Sequence, residues 1–136
     1  MVRTKSIIKT KNAPKALGLY SQAVKSNNND LIFISGQVGV DINGILVGER
    51  NVFEQTEQTF RNIQLILNSQ GADMGDLLEF TTYLVGRDSI KPFLDARKEV
   101  FANYFPEGDY PANTLIVVES LVSDEYLVEI KAVGIL

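Results

Sequence analysis

The sequence predicts an α+β fold in which two helices cover one face of a mixed β-sheet. Three observations support this prediction. Strand-like apolar segments occur at both ends of the chain, two segments repeat apolar residues at helical spacing, and one further strand-like segment separates those two. At 136 residues the chain has the usual length of one domain, so residues 1–136 are predicted to form a single domain.

The N-terminal third of the chain is predicted to form strands. Two strand-like segments, Ala23–Ser26 and residues 31–35, flank an asparagine-rich turn. Further on, Asn43-Gly44 lies between apolar alternations, and both residues tolerate positive φ. This dipeptide therefore predicts a two-residue hairpin with a type I′ turn.

The first helix is predicted to begin after Asn51, whose side chain can cap the first turn, with Glu54 in the capping-box position. Gly71 is expected to end this helix. Its apolar stripe consists of Val52, Thr56, Phe60, Ile63 and Leu67.

The second helix is predicted over about residues 92–105, with Pro92 in the first turn and Pro106 and Gly108 beyond its end. Its apolar face consists of Phe93, Ala96, Val100, Phe101 and Tyr104.

The remaining strands are predicted at Leu77–Val85, 114–118 and 126–133, which gives the order ββ(β)–α–β–α–ββ. Several strands are apolar on both sides. One set of alternating positions is Ile32, Ile34, Leu115, Val117, Val128 and Ile130, and the oppositely facing set is Phe33, Ile116, Val118 and Leu127. The helices can cover only one face, so the other is predicted to be covered by self-association.

The composition excludes several kinds of chemistry. The chain has no cysteine and no histidine, so disulfides, thiolate zinc sites, thiol nucleophiles and histidine bases are excluded. With a net charge of −4, nucleic-acid binding is not expected. Basic residues cluster only near the N-terminus, at Arg3, Lys5, Lys9, Lys11 and Lys15. Because no apolar run approaches a membrane span, the sequence predicts a cytoplasmic protein without a membrane partner.

Four short motifs occur in order along the chain. They are Gly18-Leu19-Tyr20-Ser21-Gln22-Ala23, Phe33-Ile34-Ser35-Gly36-Gln37, Tyr110-Pro111-Ala112 followed by Thr114, and Val128-Glu129-Ile130 followed by Ala132-Val133. With these motifs the chain resembles, essentially from end to end, the Rid family of reactive-intermediate deaminases, also called the RidA/YjgF group.

The resemblance implies a chorismate-mutase-like fold and a homotrimer in which three sheets line a central barrel. Small-molecule pockets lie in the clefts between subunits. The family's reference activity is the hydrolysis of 2-aminoacrylate and related enamines or imines to 2-keto acids and ammonia. No metal or organic cofactor takes part.

The resemblance also implies site residues. Glu129 matches the glutamate that holds the attacking water or transfers protons, and Tyr20 matches a pocket-lining tyrosine, although Leu19 replaces the usual preceding proline. Ser35 and Gly36 match the turn that approaches the ligand. The alternatives are a polar residue on an interface strand for Glu129, a half-buried aromatic for Tyr20 and a plain β-bulge at Ser35-Gly36.

One position departs from the family pattern. Asn113 follows Pro-Ala where the family has an arginine that grips the substrate carboxylate. An asparagine amide offers two N–H donors but no charge, so it cannot reproduce a bidentate guanidinium clamp. Arg97, in the second helix, is a candidate for the missing cation, and the alternative is a solvated helix face.

The departure leaves two functions open. The first is an enamine or imine deaminase with altered substrate choice, and the second is a non-catalytic trimeric protein that binds a metabolite in its intersubunit clefts. RNA cleavage, an activity also attached to the family name, is not favoured by an acidic chain without histidine.

Overall fold

One mixed sheet of six strands carries two α-helices on one face. The computed structural model describes residues 5–16, 22–26 and 30–136. The elements are β1 (Lys5–Ile8), β2 (Ala23–Ser26), β3 (Leu31–Val38), α1 (Val52–Asn68), β4 (Leu77–Val85), α2 (Ile90–Tyr104), β5 (Ala112–Val118) and β6 (Val128–Ile135). Short 3₁₀ turns precede β4 and α2. The α+β prediction and the predicted element order are confirmed, and β4 has the predicted bounds.

The strands are arranged in the order β1-β2-β3-β6-β4-β5. All neighbouring pairs are antiparallel except β4 and β5, which are parallel. A parallel pair needs a crossover connection, and α2 supplies it between β4 and β5. The strand order places β5 at the edge of the sheet, beyond β4.

The prediction of a two-residue type I′ hairpin at Asn43-Gly44 is wrong. Within the described residues of this turn only Gly44 has positive φ, at 77°. The Gly44 N–H donates to the Asp41 carbonyl at 2.9 Å, and the Asp41 carboxylate accepts from the Asn43 and Ile45 N–H groups at 2.9 and 3.0 Å. The aspartate side chain therefore organises a longer turn, and the flanking segments share an isolated bridge instead of a ladder.

The predicted boundaries of α1 are confirmed with one correction. The Asn51 side chain caps the helix by accepting the Glu54 N–H at 3.0 Å. The reciprocal half of the capping box does not form, because the Asn51 N–H donates to the Gly48 carbonyl instead. After the last helical residue, Gly71 has a φ of 76°, and its N–H donates to the Asn68 carbonyl, which stops the helix in a Schellman-type turn.

The second helix begins two residues earlier than predicted, at Ile90, so Pro92 lies in its first turn. Its buried residues, Phe93, Ala96 and Phe101, face the sheet as the apolar spacing predicted. The Phe105 N–H donates to the Phe101 carbonyl at the end of the helix.

The core lies between the helices and the sheet and is built around phenylalanine. The Phe60 ring from α1 lies 5.7 Å from Phe80 of β4, 6.4 Å from Phe93 and 5.3 Å from Phe101 of α2. Most of these ring pairs meet edge to face, an arrangement that adds to the stabilisation from area burial. One aromatic cluster therefore joins α1, α2 and β4.

A buried glutamine in α1 forms hydrogen bonds to the segment that precedes the helix and to the segment that leads into β6. Gln55 is fully buried. Its Nε2 donates to the carbonyls of Gly48 and Glu125, both at 3.0 Å, and its Oε1 accepts the Leu127 N–H at 2.9 Å. Gln55 therefore fixes the entry to β6, the strand that carries Glu129.

We expect Gln55→Leu to lower the free energy of unfolding by about 2–3 kcal/mol, since two partly buried carbonyls and one partly buried N–H lose the partner that the Gln55 side chain provides. The measurement is the urea unfolding midpoint. Gln70→Leu is the matched control, because within the described residues the Gln70 side chain donates only to the neighbouring Ser69, and we expect a change within about 0.5 kcal/mol. Equal effects of the two substitutions would show that Gln55 contributes nothing specific.

Candidate functional site

The two faces of the sheet carry different candidate residues. In β4, Phe80, Thr82 and Leu84 are buried under the helices, so the alternate residues face the other way. Asn113 pairs with Phe80, and Glu129 pairs with Tyr83. Asn113 therefore lies on the helix-covered face and Glu129 on the uncovered face of the same chain.

A cavity of about 540 Å³ opens on the helix-covered side, between α2 and β5. It brings together Arg97 from α2 and Asn113 from β5, two residues that were candidates on separate elements. The other lining residues that bear on its chemistry are Lys98, Phe80, Phe101 and Tyr110. The cavity thus combines aromatic side chains with polar groups from both α2 and β5, and such a mixture of apolar surface and a few polar groups suits a small-molecule site.

Arg97 is a half-buried cation in this cavity. Its guanidinium carbon lies 5.5 Å from the centre of the Phe93 ring and 5.9 Å from that of Phe101. Burial lowers the pKa of Arg97 from its usual value. Within residues 5–16, 22–26 and 30–136, no carboxylate forms an ion pair with it. A partly desolvated cation without a counter-ion favours an anionic group of a ligand.

Tyr110 forms an outer wall of the cavity. Its ring stacks on Phe101 at a centroid distance of 5.8 Å and an interplanar angle of 23°, and it remains 63% exposed. Sequence reasoning used Tyr110 only as part of a family motif and missed it as a wall residue. The signal was present, since the residue directly precedes Pro111-Ala112-Asn113.

Glu129 lies on the uncovered face, against Gly36. A Cβ atom added at Gly36 would come within 2.9 Å of the Glu129 carboxyl carbon, so the carboxylate occupies the space that a side chain at Gly36 would fill. Burial raises the pKa of Glu129 from its ordinary value. In the part of the chain that the structure describes, no hydrogen bond or ion pair holds the carboxylate, which leaves it available for a water or a ligand.

Ser35 and Gly36 form the irregular stretch of β3. The register with β6 shifts between Ile34 and Gln37, which places two residues of β3 opposite one of β6. A β-bulge is therefore present at Ser35-Gly36, and it lies beside Glu129, so the predicted role of these two residues in ligand binding stays a prediction. Tyr20, the remaining predicted site residue, lies outside the described residues.

The uncovered sheet face is apolar and exposed in a single chain. Phe33 is 50% exposed, Ile7 49% and Ile116 41%. Phe33 pairs with Val24 and Val133, so the three form one apolar row across β2, β3 and β6. Such a face is typical of a surface that another molecule covers.

Among the described residues, no cluster of three or more acidic, histidine or cysteine residues could hold a metal ion. In the same part of the chain, no helix is long and apolar enough to cross a membrane.

Comparison with known proteins identifies the family. The family model described as Endoribonuclease L-PSP matches residues 10–136. A RutC family protein of Pyrococcus horikoshii is 36% identical over 130 residues, which cover 96% of this chain and 97% of that protein. The 2-iminobutanoate/2-iminopropanoate deaminase of mouse is 31% identical over 131 residues, 96% of this chain and 91% of that protein.

Solved structures agree in fold. The crystal structure of Escherichia coli TdcF with bound serine has a TM-score of 0.84 and 25% identity, and the match covers 96% of this chain and 98% of that chain. The protein is a member of the endoribonuclease L-PSP family, which includes the Rid, YjgF and RutC proteins. The predicted family membership and chorismate-mutase-like fold are thereby confirmed.

Proposed function

We propose that the protein hydrolyses enamines or imines to keto compounds and ammonia, without a cofactor, in clefts between the subunits of a homotrimer. The observation that carries this proposal is the cavity that Arg97 and Asn113 both line, together with the aromatic rings of Phe101 and Tyr110. An unpaired cation there suits the carboxylate of a 2-imino acid. The mouse relative's name gives it activity on such imines, and the TdcF structure contains a small amino acid.

The proposed reaction needs a group that moves protons, and Glu129 has the chemistry for it. An enamine first takes up a proton from solvent at its β-carbon and becomes the iminium ion. The Glu129 carboxylate takes a proton from water while the water oxygen bonds to the iminium carbon, which gives a neutral carbinolamine. Glu129 then gives that proton to the amino nitrogen, the C–N bond breaks, ammonia leaves, and the hydroxyl proton passes back to the carboxylate as the carbonyl forms. A raised pKa, caused by burial, brings Glu129 nearer to the neutral range in which such transfer is efficient.

The arrangement of the two faces supports an intersubunit site. Glu129 and Asn113 point to opposite sides of the sheet, so one chain does not present both to the same ligand. The exposed apolar row around Phe33 favours contact between copies through the uncovered face. In the proposed trimer, the cavity of one subunit is completed by Glu129 of the partner subunit.

The proposal is tested with 2-aminoacrylate generated in situ by a serine or threonine dehydratase. We expect purified protein to accelerate the decay of the enamine and the release of ammonia. A protein that does not accelerate decay, but gains activity in Asn113→Arg, would contradict the proposal and favour the non-catalytic metabolite-binding alternative. A sedimentation mass near that of the monomer would contradict the intersubunit site.

Arg97→Gln should raise KM for the enamine by about 10- to 100-fold and leave kcat nearly unchanged, because a charge-assisted bond to a carboxylate acts on bound substrate and transition state alike. Steady-state kinetics provide the measurement. Arg61→Gln is the matched control, since Arg61 lines a separate groove between the helices. An unchanged KM in Arg97→Gln would exclude Arg97 as the carboxylate partner.

The family description names an endoribonuclease, but RNA cleavage is not the function that we propose. The cavity offers two cations, Arg97 and Lys98, in a chain of net charge −4 without histidine. RNA binding by a small domain usually requires a broad basic surface with aromatic stacking platforms.

A further inference from the structure

A buried hydroxyl lies directly behind the cavity. Thr82 of β4 is fully buried, and its Oγ1 donates to the Asn113 Oδ1 at 3.2 Å. Thr82 lies between two apolar residues of the same face, Phe80 and Leu84. Packing alone would be satisfied by valine, which has the same shape, so the hydroxyl in this layer is explained by its bond to Asn113.

This bond determines which end of the Asn113 amide faces the ligand. The Oδ1 is held inward against Thr82, and no hydrogen bond within the described residues engages the Nδ2. Asn113 is exposed at the cavity wall. Its two N–H donors therefore remain for a group in the cavity, and that group has to be an acceptor.

We infer that Thr82 is a positioning residue that turns the Asn113 amide into a fixed donor for a carbonyl or carboxylate oxygen of the ligand. The inference deepens the proposed function, since it rests on the same cavity and gives the position of the family's arginine a defined role. In this arrangement Arg97 provides the positive charge for an anionic group of the ligand, and the Asn113 N–H groups fix the direction of the hydrogen bond to the ligand oxygen. A ligand that presents an amine or imine N–H to Asn113 does not fit this arrangement.

The test uses Thr82→Val, which keeps the shape and removes the hydroxyl, and Thr82→Ser, which keeps the hydroxyl. Binding of 2-oxobutanoate is measured by titration calorimetry, and KM and kcat are measured with enamine generated in situ. We expect Thr82→Val to weaken 2-oxobutanoate binding and raise KM by about 5- to 10-fold with kcat nearly unchanged, as the loss of one oriented hydrogen bond predicts. Thr82→Ser should restore both values.

A double-mutant cycle separates positioning from packing. In an Asn113→Ala background, Thr82→Val should change binding by less than about twofold, because the amide that it positions is gone. Asn113→Asp keeps an acceptor for Thr82 but removes both donors, so it should weaken 2-oxobutanoate binding at least as much as Asn113→Ala. Additive effects in the cycle, or full binding by Asn113→Asp, would overturn the inference.

The binding of 2-oxobutanoate and the turnover of the enamine together distinguish this inference from the proposed function. Binding that depends on Thr82, in a protein without turnover, supports the inference and contradicts the deaminase. Turnover that is indifferent to Thr82→Val supports the deaminase and overturns the inference. Wild-type protein that neither binds 2-oxobutanoate nor turns over the enamine overturns both.

Discussion

Glu129→Gln is expected to lower kcat for enamine hydrolysis by about 100- to 10,000-fold, the usual contribution of a positioned acid–base group. Glutamine has nearly the same shape as glutamate, but it cannot exchange a proton with water or with the leaving nitrogen. KM should change little, because binding is assigned to Arg97 and Asn113 on the other face of the sheet. The measurement is the decay of 2-aminoacrylate under saturating conditions.

The pH dependence gives a second readout of the same residue. Burial raises the pKa of Glu129, so the rate of the wild-type protein should rise with pH through that elevated value, and Glu129→Gln should lack this limb. The stability of the folded protein should depend on pH in the opposite direction to the rate. A carboxyl group whose folded pKa is raised contributes stability below its unfolded pKa and loses it as pH rises through the folded pKa. At neutral pH, Glu129→Gln should therefore unfold no more easily than wild type.

Glu57→Gln serves as the control for this prediction. Glu57 is exposed on α1 and lies in the groove between the helices, away from Gly36 and the uncovered face. Its substitution should leave kcat unchanged. If Glu129→Gln retains wild-type kcat within about threefold, Glu129 is not the proton-transfer group.

Much of the fold follows from local patterns that the sequence displays. β4 forms over Leu77–Val85 as predicted, because the run is rich in apolar, aromatic and β-branched residues and contains no turn residue. The Asn51 cap and the stop at Gly71 are likewise local features. The hairpin prediction failed because Asp41 competes for two backbone N–H groups, an interaction that the Asn-Gly pattern alone does not reveal.

The candidate site is predictable only in part. Alternation along a strand indicates that Glu129 and its neighbours face opposite ways, but the pairing register decides which face the helices cover. The bulge at Ser35-Gly36 changes that register within β3. Because one strand has an extra residue there, counting alternate positions along β3 does not tell which face a residue beyond the bulge lies on. The meeting of Arg97 and Asn113 depends on the docking of α2 beside β5, which is a tertiary contact.

Thr82 illustrates a residue that sequence reasoning missed. In the run Leu77–Val85 it reads as an ordinary β-branched strand residue. The role that we infer for its hydroxyl depends on the hydrogen bond to Asn113, which is 31 positions away in the chain and on the neighbouring strand. Side-chain hydrogen bonds between distant residues leave no periodic signal, so positioning residues of this kind are found from the structure.

The largest expected effect on stability is at Phe60. This ring is fully buried and contacts Phe80, Phe93 and Phe101, so it links α1 to the sheet and to α2. Phe60→Ala should lower the free energy of unfolding by about 3–5 kcal/mol, which combines the lost burial with the cavity that the neighbours do not fill. Urea unfolding provides the measurement.

Phe60→Ala should also alter the candidate site, because Phe80 and Phe101, which contact Phe60, line the cavity together with Arg97. We expect Phe60→Ala to weaken 2-oxobutanoate binding at temperatures where the protein is still folded. Ile45→Ala, at a position that is 62% exposed, should change the free energy of unfolding by no more than about 0.5 kcal/mol and leave binding intact. A Phe60→Ala protein with wild-type stability would mean that the aromatic cluster does not hold the helices on the sheet. If that protein instead lost stability but bound 2-oxobutanoate normally, the cavity would not depend on the core behind it.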